Sequence, residues 1–88
     1  MYERDPETLW RRVGAGVVLL PPGAAAPLPL GAFAARVWQL LSSPTNARSI
    51  RDTLMVEGSL TGEAGTRELD RVLTLLVLLH AVRTDSAR

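Results

Sequence analysis

Two arginines and three neighbouring side chains recur along one face of a C-terminal segment that the sequence predicts to be helical. At 3.6 residues per turn, the residues that share or border this face are Arg67, Arg71, Thr74, Leu75 and Leu78. A guanidinium group can bind a carboxylate through two parallel hydrogen bonds, and leucine side chains offer apolar contact. These residue types suit non-covalent binding of a ligand. The same pattern also fits a solvated charged face beside ordinary core leucines. No single residue therefore distinguishes a binding site from an ordinary helix surface.

The sequence has no group of residues suited to bond-making chemistry. It has no cysteine, which removes thiolate metal sites and a cysteine nucleophile. His80 is the only histidine, and a metal or general-base role there would lack partner residues. The acidic residues Glu63, Glu68 and Asp70 are interpreted as surface charge. We therefore expect a protein that is not an enzyme and needs neither a metal nor another cofactor.

Length and charge narrow the class of protein. The 88 residues have room for one domain, with an ordered core expected over 9–84. A hydrophobic content of 47% is too high for a disordered chain. The formal net charge of +1 provides little attraction to nucleic acid or to anionic lipid. The N-terminus lacks an apolar signal core and the apolar run at 75–79 is too short to span a membrane, so a cytoplasmic protein is expected.

A β-hairpin is predicted near the N-terminus. Residues 1–7 are polar and are expected to be loosely held. Residues 9–13 form a first strand, and the apolar run at 17–20 predicts a buried second strand. The Gly-Ala-Gly sequence at 14–16 is typical of a tight hairpin connection. A Pro-Pro-Gly sequence at 21–23 then ends the second strand.

A third extended segment is expected over 24–30. Pro27 and Pro29 exclude a helix there because proline fixes φ and lacks a backbone N–H. Leu28 and Leu30 alternate with these prolines and are expected to face the core. The two backbone N–H donors that these prolines lack would both lie on the same edge of the segment. The segment is therefore either an outer strand paired through its leucine edge or an irregular stretch.

Two helices are predicted after this segment. The first covers 31–42, and the second begins at a weak capping box formed by Ser49 and Asp52. Gly58 would end the second helix. Trp10 in the hairpin is also expected to pack in the core. The core-facing residues predicted on the two helices are Phe33, Val37, Trp38, Leu40, Leu41, Ile50 and Leu54.

A third helix, beginning at Thr61 or Thr66, is apolar on nearly every side in its second half. Its predicted core stripe consists of Leu69, Val72, Leu73, Leu76 and Leu79. A terminal helix of a small domain cannot bury every side. Some of Leu75, Leu78 and Val82 must therefore lie in a groove, against the sheet or against a partner. The predicted fold is α+β and winged-helix-like, with a three-stranded antiparallel β-sheet followed by three α-helices.

Four segments in this order and spacing resemble the PqqD-like proteins, the recognition elements of ribosomally made and modified peptides. The segments are Val17 to Leu20, Leu30 to Leu41, Arg48 to Leu54, and Leu69 to Val82. The resemblance covers roughly residues 9–84. Two departures stand out: Gly31 replaces the usual polar capping residue, and Pro27 and Pro29 occupy the strand that would receive the ligand.

The resemblance implies a binding protein that holds the leader of a precursor peptide and presents it to a modifying enzyme. In that family the leader adds to the third strand, in a cleft against the third helix. The peptide-binding residues implied here are Ala26, Pro27, Leu28, Pro29, Leu30, Arg67, Arg71, Thr74, Leu75 and Leu78. A stand-alone chain of this size is similar to the recognition proteins of lasso-peptide clusters, which work with a separate leader peptidase and a cyclase.

Two other functions stay open on the sequence. Winged-helix proteins often bind DNA, although acidic residues interrupt each basic patch of this chain and it contains no lysine. A small dimerisation module could instead use the apolar surface at 75–82. Affinity that falls steeply with salt would indicate DNA binding, and a concentration-dependent mass would indicate dimerisation. We expect a monomer or weak dimer with no nucleic-acid or membrane partner.

Overall fold

The computed structural model describes residues 1–84, which form five short strands and three helices. In chain order these are β1 (Tyr2–Arg4), β2 (Leu9–Val13), β3 (Gly16–Leu20), β4 (Leu28–Leu30), α1 (Ala32–Leu40), α2 (Ala47–Glu57), α3 (Gly62–Leu78) and β5 (Val82–Thr84). Strands β2, β3 and β4 form an antiparallel sheet in that order, and β1 pairs with β5 in a second, two-stranded sheet. The predicted α+β fold, with a three-stranded antiparallel sheet and three helices, is confirmed.

The hairpin between β2 and β3 turns through two residues. Val13 lies opposite Gly16, with Gly14 and Ala15 between them. Gly14 has a φ of 60°, whereas Ala15 does not have a positive φ. This combination is that of a type II′ turn, whose twist matches the right-handed twist of the flanking strands. The turn thereby sets the register of the predicted hairpin.

Strand β4 lies on the outside of the sheet and pairs through its leucine edge. Val17 is opposite Leu30, and Leu19 is opposite Leu28. Because bonding direction alternates along an antiparallel strand, the backbone groups of these leucines face β3 and those of Pro29 face outward. Of the two arrangements left open by the sequence, the outer strand is the one that forms.

The extended segment is shorter than predicted, because residues 24–27 are irregular, with a bend at 25–26, before β4 begins. A turn precedes them, in which the N–H of Ala24 donates to the carbonyl of Pro21 at 3.0 Å. The pairing that follows is close: a side-chain carbon added at Gly16 would lie 2.5 Å from the carbonyl oxygen of Leu30. Glycine is therefore needed where β4 meets the start of β3.

The helices and one face of the sheet enclose a single hydrophobic cluster, in which α1 contacts β3, β4 and α3. The predicted core residues that are buried are Val37, Trp38, Leu41, Ile50, Leu54, Leu69, Val72, Leu73 and Leu76. Phe33 and Leu40 are half-buried and pack against this cluster, and Leu79 at the end of α3 is half-buried. The apolar periodicity of each helix therefore located its inner face.

The N-terminal residues are not loose, contrary to the expectation from their polarity. Strand β1 pairs with β5, and Tyr2 exchanges backbone hydrogen bonds of 2.6 and 2.9 Å with Thr45. The Arg4 guanidinium lies 4.4 Å from the ring centre of Trp38 and 4.8 Å from that of Trp10. It also donates to the Trp38 carbonyl at 2.6 and 3.1 Å, and its partial burial lowers the pKa of Arg4.

The prediction that Trp10 lies in the core is wrong. Its side chain is 43% exposed, although one side of the ring packs edge-on against Trp38 with centroids 6.1 Å apart. The reason is its position on β2, an edge strand whose five residues are all exposed. Trp38, in contrast, is fully buried as predicted.

The start of α2 differs from the predicted cap, whereas α3 begins directly after Thr61, one of the two capping residues predicted for it. Helix α2 begins two residues before Ser49, because the Asn46 side chain accepts the Ser49 N–H at 2.8 Å and caps the helix. The predicted capping box of Ser49 and Asp52 is therefore wrong. Gly58 ends α2 in the left-handed conformation, as expected. Thr61 occupies the cap position of α3, but its side chain makes no capping hydrogen bond.

Helix α3 ends in a Schellman motif at His80, and the chain then turns into β5. The N–H of His80 donates to the Val77 carbonyl and that of Ala81 to the Leu76 carbonyl, both at 3.0 Å. His80 has a φ of 63°, a left-handed conformation that usually favours glycine. Val82, expected at the helical end, instead lies in β5, where it is buried.

Replacing His80 with glycine is expected to stabilise the fold by about 0.5–1 kcal/mol, because glycine removes the strain of a left-handed L-residue. For a domain of this size the melting temperature should rise by about 4 °C. Thermal unfolding followed by circular dichroism measures this effect. His80→Ala keeps the Cβ in the strained conformation and should not stabilise. A melting temperature equal in both variants would show that the αL conformation is not the source of strain.

Candidate functional site

A shallow, open surface depression of about 520 Å³, called the α3 groove below, lies along the exposed face of α3. Its lining residues are Arg67, Asp70, Arg71, Thr74, Leu75 and Leu78. Residues three and four apart share one face of a helix, and this spacing brings the six side chains together. The structure thus places side by side the five α3 residues that the sequence singled out. Their role in binding stays a prediction.

One end of the groove is apolar. Leu75 is 42% exposed and Leu78 is 70% exposed, although each is a large hydrophobic residue. They lie about one helical turn apart on the face opposite the buried stripe of α3. Apolar surface removed from water contributes about 25 cal/mol per Å² to the stability of a complex. A ligand that covered both leucines would therefore bind more tightly.

The other end of the groove is charged. Arg67 lies 3.9 Å from Glu63, and Arg71 donates to Glu68 at 2.9 Å, both within α3. All four side chains are substantially exposed, so these ion pairs hold the arginines only weakly. A ligand carboxylate can therefore compete for either guanidinium group.

Asp70 also lines the groove, and the sequence had assigned it only to surface charge. It has no ion-pair partner among residues 1–84. Its spacing of four residues from Thr74 was the signal that places it on this face. The charged end therefore offers one free carboxylate beside two weakly paired guanidinium groups.

The predicted residues on and before β4 do not line this groove. Leu30 is buried, and Leu28 is half-buried against the core. Pro29 is exposed on β4, while Ala26 and Pro27 are exposed in the irregular stretch that precedes it. The groove is lined by α3 alone, so the structure does not join the two halves of the predicted cleft into one pocket.

The free edge of β4 can accept hydrogen bonds but offers no donor at its proline. The backbone of Pro29 faces outward, and proline has no N–H. Its carbonyl remains an acceptor. A strand added along this edge could donate to β4 but could not receive a hydrogen bond from Pro29, so half of the usual ladder is missing there.

Within residues 1–84, no group of three or more histidine, aspartate or glutamate residues is placed to hold a metal ion. The helices of the same range are all too short or too polar to cross a membrane.

These observations define a class of fold: a three-stranded antiparallel sheet and three helices, with an open groove on the last helix. Among solved structures, it is shared by TbiB1, determined in complex with the TbiA(beta) leader peptide. The TM-score is 0.81 with 21% sequence identity, and the match covers 97% of this chain and 99% of that chain. The resemblance drawn from the sequence is thereby confirmed at the level of the fold. No protein-family profile and no curated protein matches the sequence.

Proposed function

We propose that this protein binds the leader of a ribosomally made precursor peptide and delivers it to a modifying enzyme. The observation that carries the proposal is the exposed groove on α3, in a fold shared with a protein that was solved with a leader peptide bound. Binding involves no bond-making step, and the protein acts without a cofactor.

In the proposed complex, the leader lies between the α3 groove and the β4 segment. Apolar leader side chains cover Leu75 and Leu78, and leader carboxylates bind Arg67 and Arg71. Leader N–H groups donate to carbonyls of the β4 edge, which returns no hydrogen bond at Pro29. Side-chain contacts in the groove therefore supply more of the affinity than a complete backbone ladder would. Ala26, Pro27, Leu28 and Leu30 shape the β4 side of the cleft.

Binding of the leader also explains how the precursor peptide is delivered to the modifying enzyme. A precursor bound near a modifying enzyme has a high effective concentration there and a defined register. Within the proposal the enzyme partners are a leader peptidase and a cyclase, as in lasso-peptide clusters, and the setting is the cytoplasm. The protein acts as a monomer or weak dimer.

Fluorescence anisotropy of a labelled precursor leader from the same gene neighbourhood tests the proposal. Titration with the protein at two salt concentrations should give saturable binding with a Kd on the order of 1 µM or tighter. The affinity should depend only weakly on salt, because apolar contacts with Leu75 and Leu78 contribute more to it than the exposed ion pairs with Arg67 and Arg71 do. A leader of the same composition in scrambled order is the control. Equal binding of both peptides, or no binding to any local precursor, would contradict leader recognition.

The same titration separates the alternative functions. DNA binding would show a steep loss of affinity with salt, since phosphate contacts release counterions. Acidic partners offset the charge of five of the nine arginines among residues 1–84, which disfavours this outcome; the pairs are Arg36 with Glu57, Arg51 with Asp52, Arg67 with Glu63, Arg71 with Glu68, and Arg83 with Glu3. Sedimentation at several concentrations would reveal dimerisation through the exposed leucines of α3.

A further inference from the structure

The second open edge of the three-stranded sheet lies on β2. Val13 and Gly16 flank a two-residue turn and form a hydrogen-bonded pair, so alternation directs the backbone groups of Trp10 and Arg12 away from β3. Within residues 1–84, no other strand pairs with this edge and no backbone partner is found for these two residues. Unlike the proline edge of β4, the β2 edge offers donors as well as acceptors.

The surface beside this edge is apolar and uncovered. Leu9 is 66% exposed and Val13 is 55% exposed, and they lie with Arg11 on the outer face of the sheet. A hollow of about 280 Å³ lies next to Leu9 and is also lined by Leu20 and Pro27. An exposed apolar strand with unpaired backbone groups is a template for another strand.

The positive charge of this surface indicates which kind of partner it fits. Arg11 and Arg12 are exposed and have no carboxylate partner in the described part of the chain, whereas the arginines on α3 are paired with glutamates. A second copy is a poor occupant, since antiparallel pairing of two β2 strands would bring like charges together. The surface therefore fits a strand that carries negative charge opposite the two arginines.

We propose that the β2 edge docks an extended segment of a partner protein that has two consecutive acidic residues flanked by apolar residues. The backbone of that segment pairs with Trp10 and Arg12. Its carboxylates bind Arg11 and Arg12, and its apolar residues cover Val13 and Leu9. This docking does not depend on leader binding. The β2 edge and the α3 groove are separate surfaces and can be occupied together.

A capped synthetic heptapeptide tests the proposal, with the order Thr, Val, Glu, Glu, Thr, Val, Thr. Its matched control has lysine in place of both glutamates. In a titration of the full ¹⁵N-labelled chain, the acidic peptide should shift the β2 amides and the Trp10 indole signal saturably, with a Kd below about 1 mM. The lysine peptide should bind at least about tenfold more weakly, because it places like charges opposite the arginines.

Three variants define the contacts. Reversing both charges, Arg11→Glu with Arg12→Glu, should exchange the preference between the two peptides. Arg12→Ala removes one charge and keeps the outward N–H. Arg12→Pro also removes that donor without removing a bond to β3, so it should weaken binding of the acidic peptide further than alanine does.

Several results would overturn the proposal. These are shifts confined to α3, equal binding of both peptides, no saturable shift up to about 1 mM, or self-association through β2 in the absence of peptide. The charge-reversed variant also distinguishes docking at the β2 edge from leader binding at the α3 groove. Its affinity for a precursor leader should equal that of the unmodified chain, and loss of leader binding would instead place β2 within the leader site.

Discussion

Replacing Leu78 with glutamate is expected to abolish leader binding while the fold is retained. The side chain is 70% exposed in the α3 groove, so a carboxylate there stays hydrated in the free protein. In the complex it would be covered without a partner, and it would repel the leader carboxylates that Arg67 and Arg71 attract. We expect affinity to fall at least about 100-fold, equivalent to about 2.8 kcal/mol.

Anisotropy with the labelled precursor leader measures this loss, and circular dichroism verifies the fold. Val56→Glu is the matched control, because it places the same charge on an apolar residue of α2 that is 89% exposed. This control should bind the leader with unchanged affinity. Unchanged affinity in a folded Leu78→Glu variant would remove Leu78 from the site. Equal losses in both variants would show that the effect is not specific to the groove.

Replacing Trp38 with alanine is expected to unfold a large fraction of the protein. Trp38 is fully buried on α1, and both the Trp10 ring and the Arg4 guanidinium pack on its indole ring. Truncating a buried aromatic residue costs about 3–5 kcal/mol, since apolar contacts are lost and a cavity remains. Small domains often have a total stability of only about 5 kcal/mol, so little folded protein would remain.

Urea unfolding followed by far-ultraviolet circular dichroism measures the effect. Trp10→Ala is the matched control, since it removes the same side chain from a position that is 43% exposed, and should cost only about 1 kcal/mol. Trp38→Phe keeps a ring and removes an indole N–H that is buried without a partner in the described residues. It should therefore be far less damaging than alanine. Similar losses for the two alanine variants would contradict the difference in burial.

The two open edges of the sheet have different chemistry, and this difference suits two different partners. On β4 the outward residue is proline, which prevents a complete ladder with any added strand. On β2 the outward residues are Trp10 and Arg12, which keep their donors. Prolines and charges on edge strands also limit unwanted pairing between copies of a protein. The proline of β4 and the arginines of β2 therefore disfavour pairing of either edge with a second copy of this protein.

The sequence by itself determined the elements whose signals are local. Apolar residues at helical spacing located the buried faces of all three helices, because a period of 3.6 residues places them on one side. A turn sequence between two short strands predicted the hairpin. Two prolines separated by one residue reduced the possibilities for this segment to an outer strand paired through Leu28 and Leu30 or an irregular stretch, since both missing donors fall on the same edge. The structure shows the paired strand. Five of the six α3 residues that line the groove also followed from their spacing, and Asp70 was the one missed.

Only the tertiary structure decided features that depend on residues far apart in the chain. Strand β1 is short and polar, and it forms because β5, about 80 residues later, returns alongside it after the turn at His80. Trp10 is exposed because β2 lies at the edge of the sheet. Which leucines of α3 stay exposed depends on what packs against the helix. Local periodicity defines a face, but burial of that face requires a neighbour supplied by the fold.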